Sequence, residues 1–206
     1  MFYRYLLPAV FMSVASCGAA PNGESTASEK VVIQGELTEN SYRDAVTKTL
    51  AQAKAAISDP TLKEERLDKN LVQLETLIGL ESRLNVDKSE LSDAELMSTL
   101  GAMYARKAGF HSDNANQAGT LAATGFRYLD RAVSKYPNNL TARINRGLTC
   151  AKLPDFMNKA EVARDDLLLV VKSPEFARLT PELQGHVKSV LQAVEGRALR
   201  SEATRN

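Results

Sequence analysis

The chain has 206 residues, 44% of them hydrophobic, with 26 Lys and Arg against 25 Asp and Glu, two histidines and two cysteines. That length suits one ordinary domain plus extra segments. The near-neutral charge, without basic blocks, excludes the electrostatic footprint of a nucleic-acid binder.

The first twenty residues read MFYRYLLPAVFMSVASCGAA. Arg4 and the free amine make a short positive region, and Leu6 to Val14 form an apolar run too short to span a bilayer, the pattern of a signal peptide over 1–16. The run ends at Val14-Ala15-Ser16-Cys17, aliphatic, small, small and then cysteine. These four residues resemble the lipobox of bacterial lipoproteins. The resemblance implies that the Cys17 thiol takes a diacylglycerol and that the signal is cut before it, because a thiolate is the nucleophile such chemistry needs. Gly18 in place of an aspartate implies sorting to the outer membrane. The alternative is ordinary signal cleavage that leaves a soluble periplasmic protein. Its loose site at Gly18-Ala19-Ala20 would leave Pro21 at the new N-terminus, which disfavours that cut, although cleavage after Gly18 stays open. Loss of 1–16 removes one basic residue, Arg4, so that 25 bases face the 25 acids. With Cys17 lipidated, Cys150 has no disulfide partner within the chain.

Residues 17–40 follow as a linker. From Gly18 the segment is mostly small and polar, a composition that cannot bury enough apolar surface to offset ordering. As a flexible chain it reaches roughly 25 Å. Val31-Val32-Ile33 is the one stretch in it that suggests a short strand or a docking point. Helical periodicity then governs 41–200. Tyr42, Val46, Leu50, Ala53 and Ile57 mark one helix, closed by Asp59-Pro60-Thr61, and Leu67, Leu71, Leu74 and Ile78 mark the next. Asn85-Val86-Asp87 predicts a turn, and Ser92 with Glu95 a capping box that opens the helix of Leu96, Leu100 and Tyr104. Gly109 is placed to end that helix in a left-handed conformation, with Phe110 folding back. HSDNANQAG then predicts an irregular polar loop over 109–120. Further stripes run through Leu121 to Ala132, Leu140 to Ala151, Ala160 to Val170, and Leu183 to Val194 after Thr180-Pro181-Glu182. Residues 201–206 read as a frayed tail. No segment alternates, so the expected fold class is all-α, with about seven helices.

Met97-x2-Leu100-Gly101-x2-Tyr104, followed by Gly125-x3-Leu129, Ala132 and Pro137, resembles the tetratricopeptide repeat (TPR) pattern W-x2-L-G-x2-Y, A-x3-F and a closing proline. Methionine replaces tryptophan, and the second helix carries a small and a large apolar residue where the repeat has A-x3-F. Gly147 follows Gly101 by 46 residues, one 34-residue period plus twelve that the polar loop accounts for. It falls at the glycine of a second, degenerate unit, with Arg146 and Cys150 at the Leu and Tyr positions. The resemblance covers 93–172 and implies a TPR-like stack of antiparallel helix hairpins. Gly101 costs about 1 kcal/mol against alanine in a helix interior. Close packing against Gly125 offsets that cost.

No nucleophile elbow, phosphate loop or dinucleotide fingerprint is present, so the expectation is no enzyme, no cofactor and no metal. His111 reads as part of a polar loop tip, His186 as a core edge, Cys150 as a small buried hydrophobe, and Glu64-Glu65 and Asp165-Asp166 as charges on helix surfaces. Repeat position would place Ser98, Thr99, Ala102 and Arg106, then Thr141, Asn145, Leu148 and Lys152, on a concave groove able to grip an extended peptide. The 109–120 loop is a second candidate contact. The resulting expectation is an outer-membrane-anchored TPR-like adaptor that faces the periplasm and binds an envelope protein or peptide. The alternative is a small-molecule-binding accessory protein of an envelope transporter, which needs an enclosed apolar pocket with a few polar groups. Growth with a clickable palmitate analogue should label the wild-type chain and not Cys17→Ser. An unlabelled wild type would remove the anchor.

Overall fold

A computed structural model describes residues 38–59, 61–81 and 90–203, without the side chains at either edge of the 82–89 gap and beyond Arg197. The signal, Cys17, the linker up to residue 37 with its 31–33 stretch, and the 85–87 turn lie outside the described residues. Among those described there are seven α-helices and no strand: α1 Glu39–Ser58, α2 Glu64–Glu81, α3 Glu90–Phe110, α4 Ala115–Lys135, α5 Leu140–Ala151, α6 Ala160–Lys172 and α7 Pro181–Ala203. Short 3-10 turns at Asp155–Met157 and Pro174–Arg178 flank α6. No described helix is long and apolar enough to cross a membrane.

Several boundaries differ from the sequence expectation. Residues 38–40 belong to α1, not to the linker. Thr38 Oγ1 accepts from the Ser41 amide at 3.2 Å and Ser41 Oγ accepts from the Thr38 amide at 3.0 Å, a reciprocal cap that satisfies two orphan donors. Helix α3 begins at Glu90, so Ser92 lies inside the helix and is not its cap. Nor does Gly109 end it, since α3 runs on to Phe110, which stays 39% exposed instead of folding back. The predicted loop shrinks to residues 111–114. Asn114 caps α4 by accepting from the Gln117 amide at 3.1 Å. The twelve surplus residues therefore lengthen the two helices, which have 21 residues each.

Packing follows chain order. Each helix rests on the next, and each odd-numbered helix also touches the following odd one. One core joins α1, α2 and α3 through Leu50, Leu67, Leu74, Leu77, Leu96, Leu100 and Met103. Another joins α5, α6 and α7 through Ile144, Leu148, Leu167, Val170, Val187 and Leu191. Between them lie Ala94, Met97, Ala132, Val133 and Ala142 at one end of the α3–α4 pair, and Phe126, Leu129, Cys150, Ala163 and Val194 further along. The Cys150 thiol is buried, and burial pushes its pKa up to about 12.

Helices α3 and α4 run antiparallel and nearly touch backbone to backbone. A Cβ at Gly101 would stand 2.7 Å from the Gly125 carbonyl oxygen, and one at Gly125 would stand 2.7 Å from the Gly101 oxygen and 2.9 Å from the Ala105 nitrogen. Gly147 makes room in the same way for the Leu167 side chain, 2.7 Å from its would-be Cβ. Tyr104 stacks on Tyr128 with centroids 6.1 Å apart and donates to Glu75. The Pro137 carbonyl accepts from Arg143 Nε at 2.6 Å.

Two acids expected on surfaces are engaged. Asp166 is 1% exposed, accepting from Arg143 Nη1 at 2.7 Å and from Arg146 Nε at 2.6 Å, while Arg146 also reaches Asp130 at 3.0 Å. Arg146, at the repeat's leucine position, thus ties α4, α5 and α6 together. Glu64 meets His111 Nε2 at 2.7 Å, so His111 fastens the α3–α4 connection to α2.

Gly101→Ala should lower the unfolding free energy by about 2 kcal/mol in denaturant titration, because overpacking between backbones exceeds the helix-propensity gain. Gly185→Ala, whose Cβ would meet nothing within 4 Å, should raise it by about 0.5–1 kcal/mol. Equal effects at the two positions would contradict the close approach.

Candidate binding site

Beyond the Gly101–Gly125 contact, toward the 111–114 connection, the facing positions of α3 and α4 are mostly alanine and glycine. These side chains are too short to fill the space that the end of α5 leaves beside them. A cavity of about 400 Å³ opens there, lined by Ala102, Ala105, Ala108 and Gly109 of α3 and by Ala115, Ala118, Gly119 and Ala122 of α4. Asn145, Leu148, Thr149 and Lys152 close it from α5 and its cap, with Ile57, Leu153, Pro154, Phe156 and Met157 at the margins. Phe156 sits on the 3-10 turn after α5 and is 81% exposed. The turn ends at Asn158, the one non-glycine described residue with positive φ, at 52°. Asn tolerates that left-handed conformation better than most residues.

Among the described residues the lining contains two cations, Arg106 and Lys152, and no carboxylate. Arg106 Nη2 donates to the Asp59 carbonyl oxygen at 2.8 Å, whereas its Nε is shut off from water with no hydrogen-bond partner among the described residues. Desolvation holds the guanidinium pKa below its ordinary value, against the pull of Asp59. That carboxylate is committed elsewhere, to Thr61 at 2.8 and 2.7 Å and to Arg66 at 3.0 Å. Lys152 is exposed through the mouth, yet the surrounding walls crowd its ammonium. Desolvation and then the charge of Arg106 lower its pKa. Behind it, His186 has a buried, unpartnered Nε2, and its pKa is lowered by desolvation and then by Lys152. Three basic groups thus press on one another at the C-terminal end of α5.

Five of the eight expected groove residues line this cavity: Ala102, Arg106, Asn145, Leu148 and Lys152. The other three do not. Ser98 and Thr99 are 0% and 1% exposed, and Ser98 faces the seam between α3 and α5. Asn145 Nδ2 donates to Ser98 Oγ at 2.9 Å, and Thr141 Oγ1 contacts Glu95 at 3.5 Å. The Ser98 and Thr141 hydroxyls are spent between helices and the Thr99 hydroxyl is buried without a hydrogen-bond partner among the described residues, so none of the three is placed to grip an extended peptide. Sequence reasoning named the 109–120 segment, which supplies Gly109, Ser112, Ala115, Ala118 and Gly119 to the lining, but read it as a loop and not as a helix wall. It missed Ala122 and Phe156, since an alanine carries no chemical signature.

A lysine with a depressed pKa has more neutral amine at mildly alkaline pH, so Lys152 should acylate several-fold faster than exposed Lys48 in competitive labelling read by mass spectrometry. Arg106→Gln should slow it, and an unchanged rate would show that the two cations do not interact. Comparison with protein-family models, curated proteins and solved structures found no match to this chain, so the reading of the cavity rests on its own chemistry.

Proposed function

We propose that this chain is an envelope-tethered, TPR-like binding protein that receives an apolar ligand in the cavity between α3, α4 and α5. The lipobox resemblance supports a lipid anchor at Cys17 in the outer membrane, with the helical body facing the periplasm. Support for the TPR-like arrangement comes from the order of helix contacts and from glycines placed where neighbouring chain comes closest. The observation that carries the binding reading is the cavity. Its volume of about 400 Å³ falls in the range of ligand sites, roughly 300–1,000 Å³, and its mostly apolar wall with few polar groups is their usual composition. The protein acts by holding a ligand rather than by transforming one.

This favours the accessory-protein reading over an adaptor that clasps an extended peptide, since Ser98 and Thr99 are buried and Asn145 is bonded to Ser98. A protein partner is the second reading. Phe156, exposed beside the mouth, is the kind of aromatic anchor that partner surfaces cover.

Gly119 offers a clean test, because a Cβ there meets nothing within 4 Å and a larger side chain would occupy the cavity without forcing the helices apart. Wild-type protein should bind the neutral fluorophore N-phenyl-1-naphthylamine. Gly119→Leu should weaken it at least tenfold with helical circular dichroism unchanged. A wild type that fails to bind, or a variant that binds equally well, would remove the cavity from consideration.

A further inference from the structure

We infer that the cavity's ligand is a single-chain amphiphilic anion whose charged head sits between Arg106 and Lys152 and whose hydrocarbon tail lies along the alanine and glycine wall of α3 and α4. The inference rests on the reading of the cavity as a binding site and adds the chemistry of what enters it.

Charge is the first argument. A lining with two cations and no acid leaves positive potential inside low-dielectric walls, where a counter-charge is worth more than in bulk water. The nearby carboxylate of Asp59 attracts Arg106 but is held by Thr61 and Arg66, so it acts on that cation from outside the lining. Arg106 Nε is closed off from solvent and so from a ligand, but the guanidinium lines the cavity with Nη2 given to the Asp59 carbonyl oxygen, and guanidinium groups commonly donate to carboxylate and phosphate oxygens. The lowered pKa values of Lys152 and His186, set first by desolvation and then by the charge of Arg106 and of Lys152 respectively, agree with basic groups crowded together.

Shape is the second. The wall between the helices is built from Ala105, Ala108, Ala118, Gly119 and Ala122, which form a smooth slot rather than a set of pockets shaped for branched or ring-bearing groups. At ~30 Å³ per small group, the cavity holds roughly a dozen heavy atoms. That matches one medium-length chain and is too small for a two-chain lipid. The exposed ring of Phe156 at the mouth gives the tail a further apolar surface to cover.

Isothermal titration calorimetry on the full chain carrying Cys17→Ser, so that no acyl group of its own competes, tests the assignment. The probes share one tail: dodecanoate, monododecyl phosphate, dodecanol and dodecyltrimethylammonium, each below its micelle concentration. The expected result is that at least one anion binds tenfold or more tighter than the alcohol and that the cation does not bind. Preference for dodecanoate would identify a fatty-acid-type head, and preference for the phosphate a phospholipid-derived one. Arg106→Gln with Lys152→Gln should reduce the anion to the affinity of the alcohol and leave the alcohol unchanged. Should that pair lose its helical signal, Lys152→Gln alone, at an exposed position, should still cost the anion several-fold. Equal binding of alcohol and anion in the wild type would overturn the charge assignment while sparing the cavity. Failure of every probe, together with N-phenyl-1-naphthylamine, would overturn both.

Discussion

Helices α3 and α4 meet where neither has a side chain. Gly101 and Gly125 each present a backbone oxygen 2.7 Å from the place where the other's Cβ would be, so the separation of the two helices is set by main chain and cannot widen without losing the contact. Everything else in the body is arranged around that fixed distance. Leu100, Met103 and Leu129 flank it and are fully buried. On one side Leu100 and Met103 join the core shared with α1 and α2, and on the other Leu129 joins the core that reaches α6 and α7. A glycine that weakens its own helix therefore positions both halves of the molecule, a local loss made good by tertiary packing.

The second constraint is ionic. Asp166 is enclosed between Arg143 and Arg146, and Arg146 extends to Asp130 on α4. Taking such groups from water costs several kcal/mol per ion, so the net stabilisation is small and an apolar replacement could be as stable. What the network does supply is direction. An arginine with two acceptors on two different helices fixes the rotation of α5, and with it which of its faces looks toward α3. That face carries Asn145, Leu148, Thr149 and Lys152. The geometry of the cavity thus depends on a salt-bridge network remote from its lining.

Much of the architecture was legible in periodicity, since apolar residues spaced by three and four mark all seven helices and Gly101 within a repeat-like pattern pointed to its partner Gly125. The failures have a common physical origin. HSDNANQAG carries no large apolar residue because the first turns of α4 border solvent and the cavity, not a packed core, and a helix turn of small and polar residues capped by Asn114 looks the same in sequence as a loop. Asp166 and Arg146 sit twenty residues apart, and nothing local shows that two charged side chains will be buried together. Repeat position put Ser98 and Thr99 on an open groove, but gave no sign of how tightly the neighbouring helices would press on them, so Ser98 meets Asn145 and Thr99 is buried. The cavity itself is made of small residues that leave space, and space has no residue code.

Where local choices disagree with the surrounding fold, function is the usual reason. In this chain the disagreements gather at one end of α5. Lys152 and Arg106 stand near each other with no acid in the lining, His186 and Arg106 each keep a buried nitrogen without a partner, Phe156 is held out in solvent, and Asn158 adopts a left-handed backbone. Elsewhere several charges are matched to donors across helices, Asp93, Asp166 and Glu95 among them, although Thr99 Oγ1 is also buried without a hydrogen-bond partner among the described residues and Val72 and Leu169 are also exposed. What sets the end of α5 apart is that two cations without an acid in the lining and an exposed ring surround one apolar cavity. An amphiphilic anion answers both, because its head offers the absent negative charge while its tail covers the empty wall and the exposed ring.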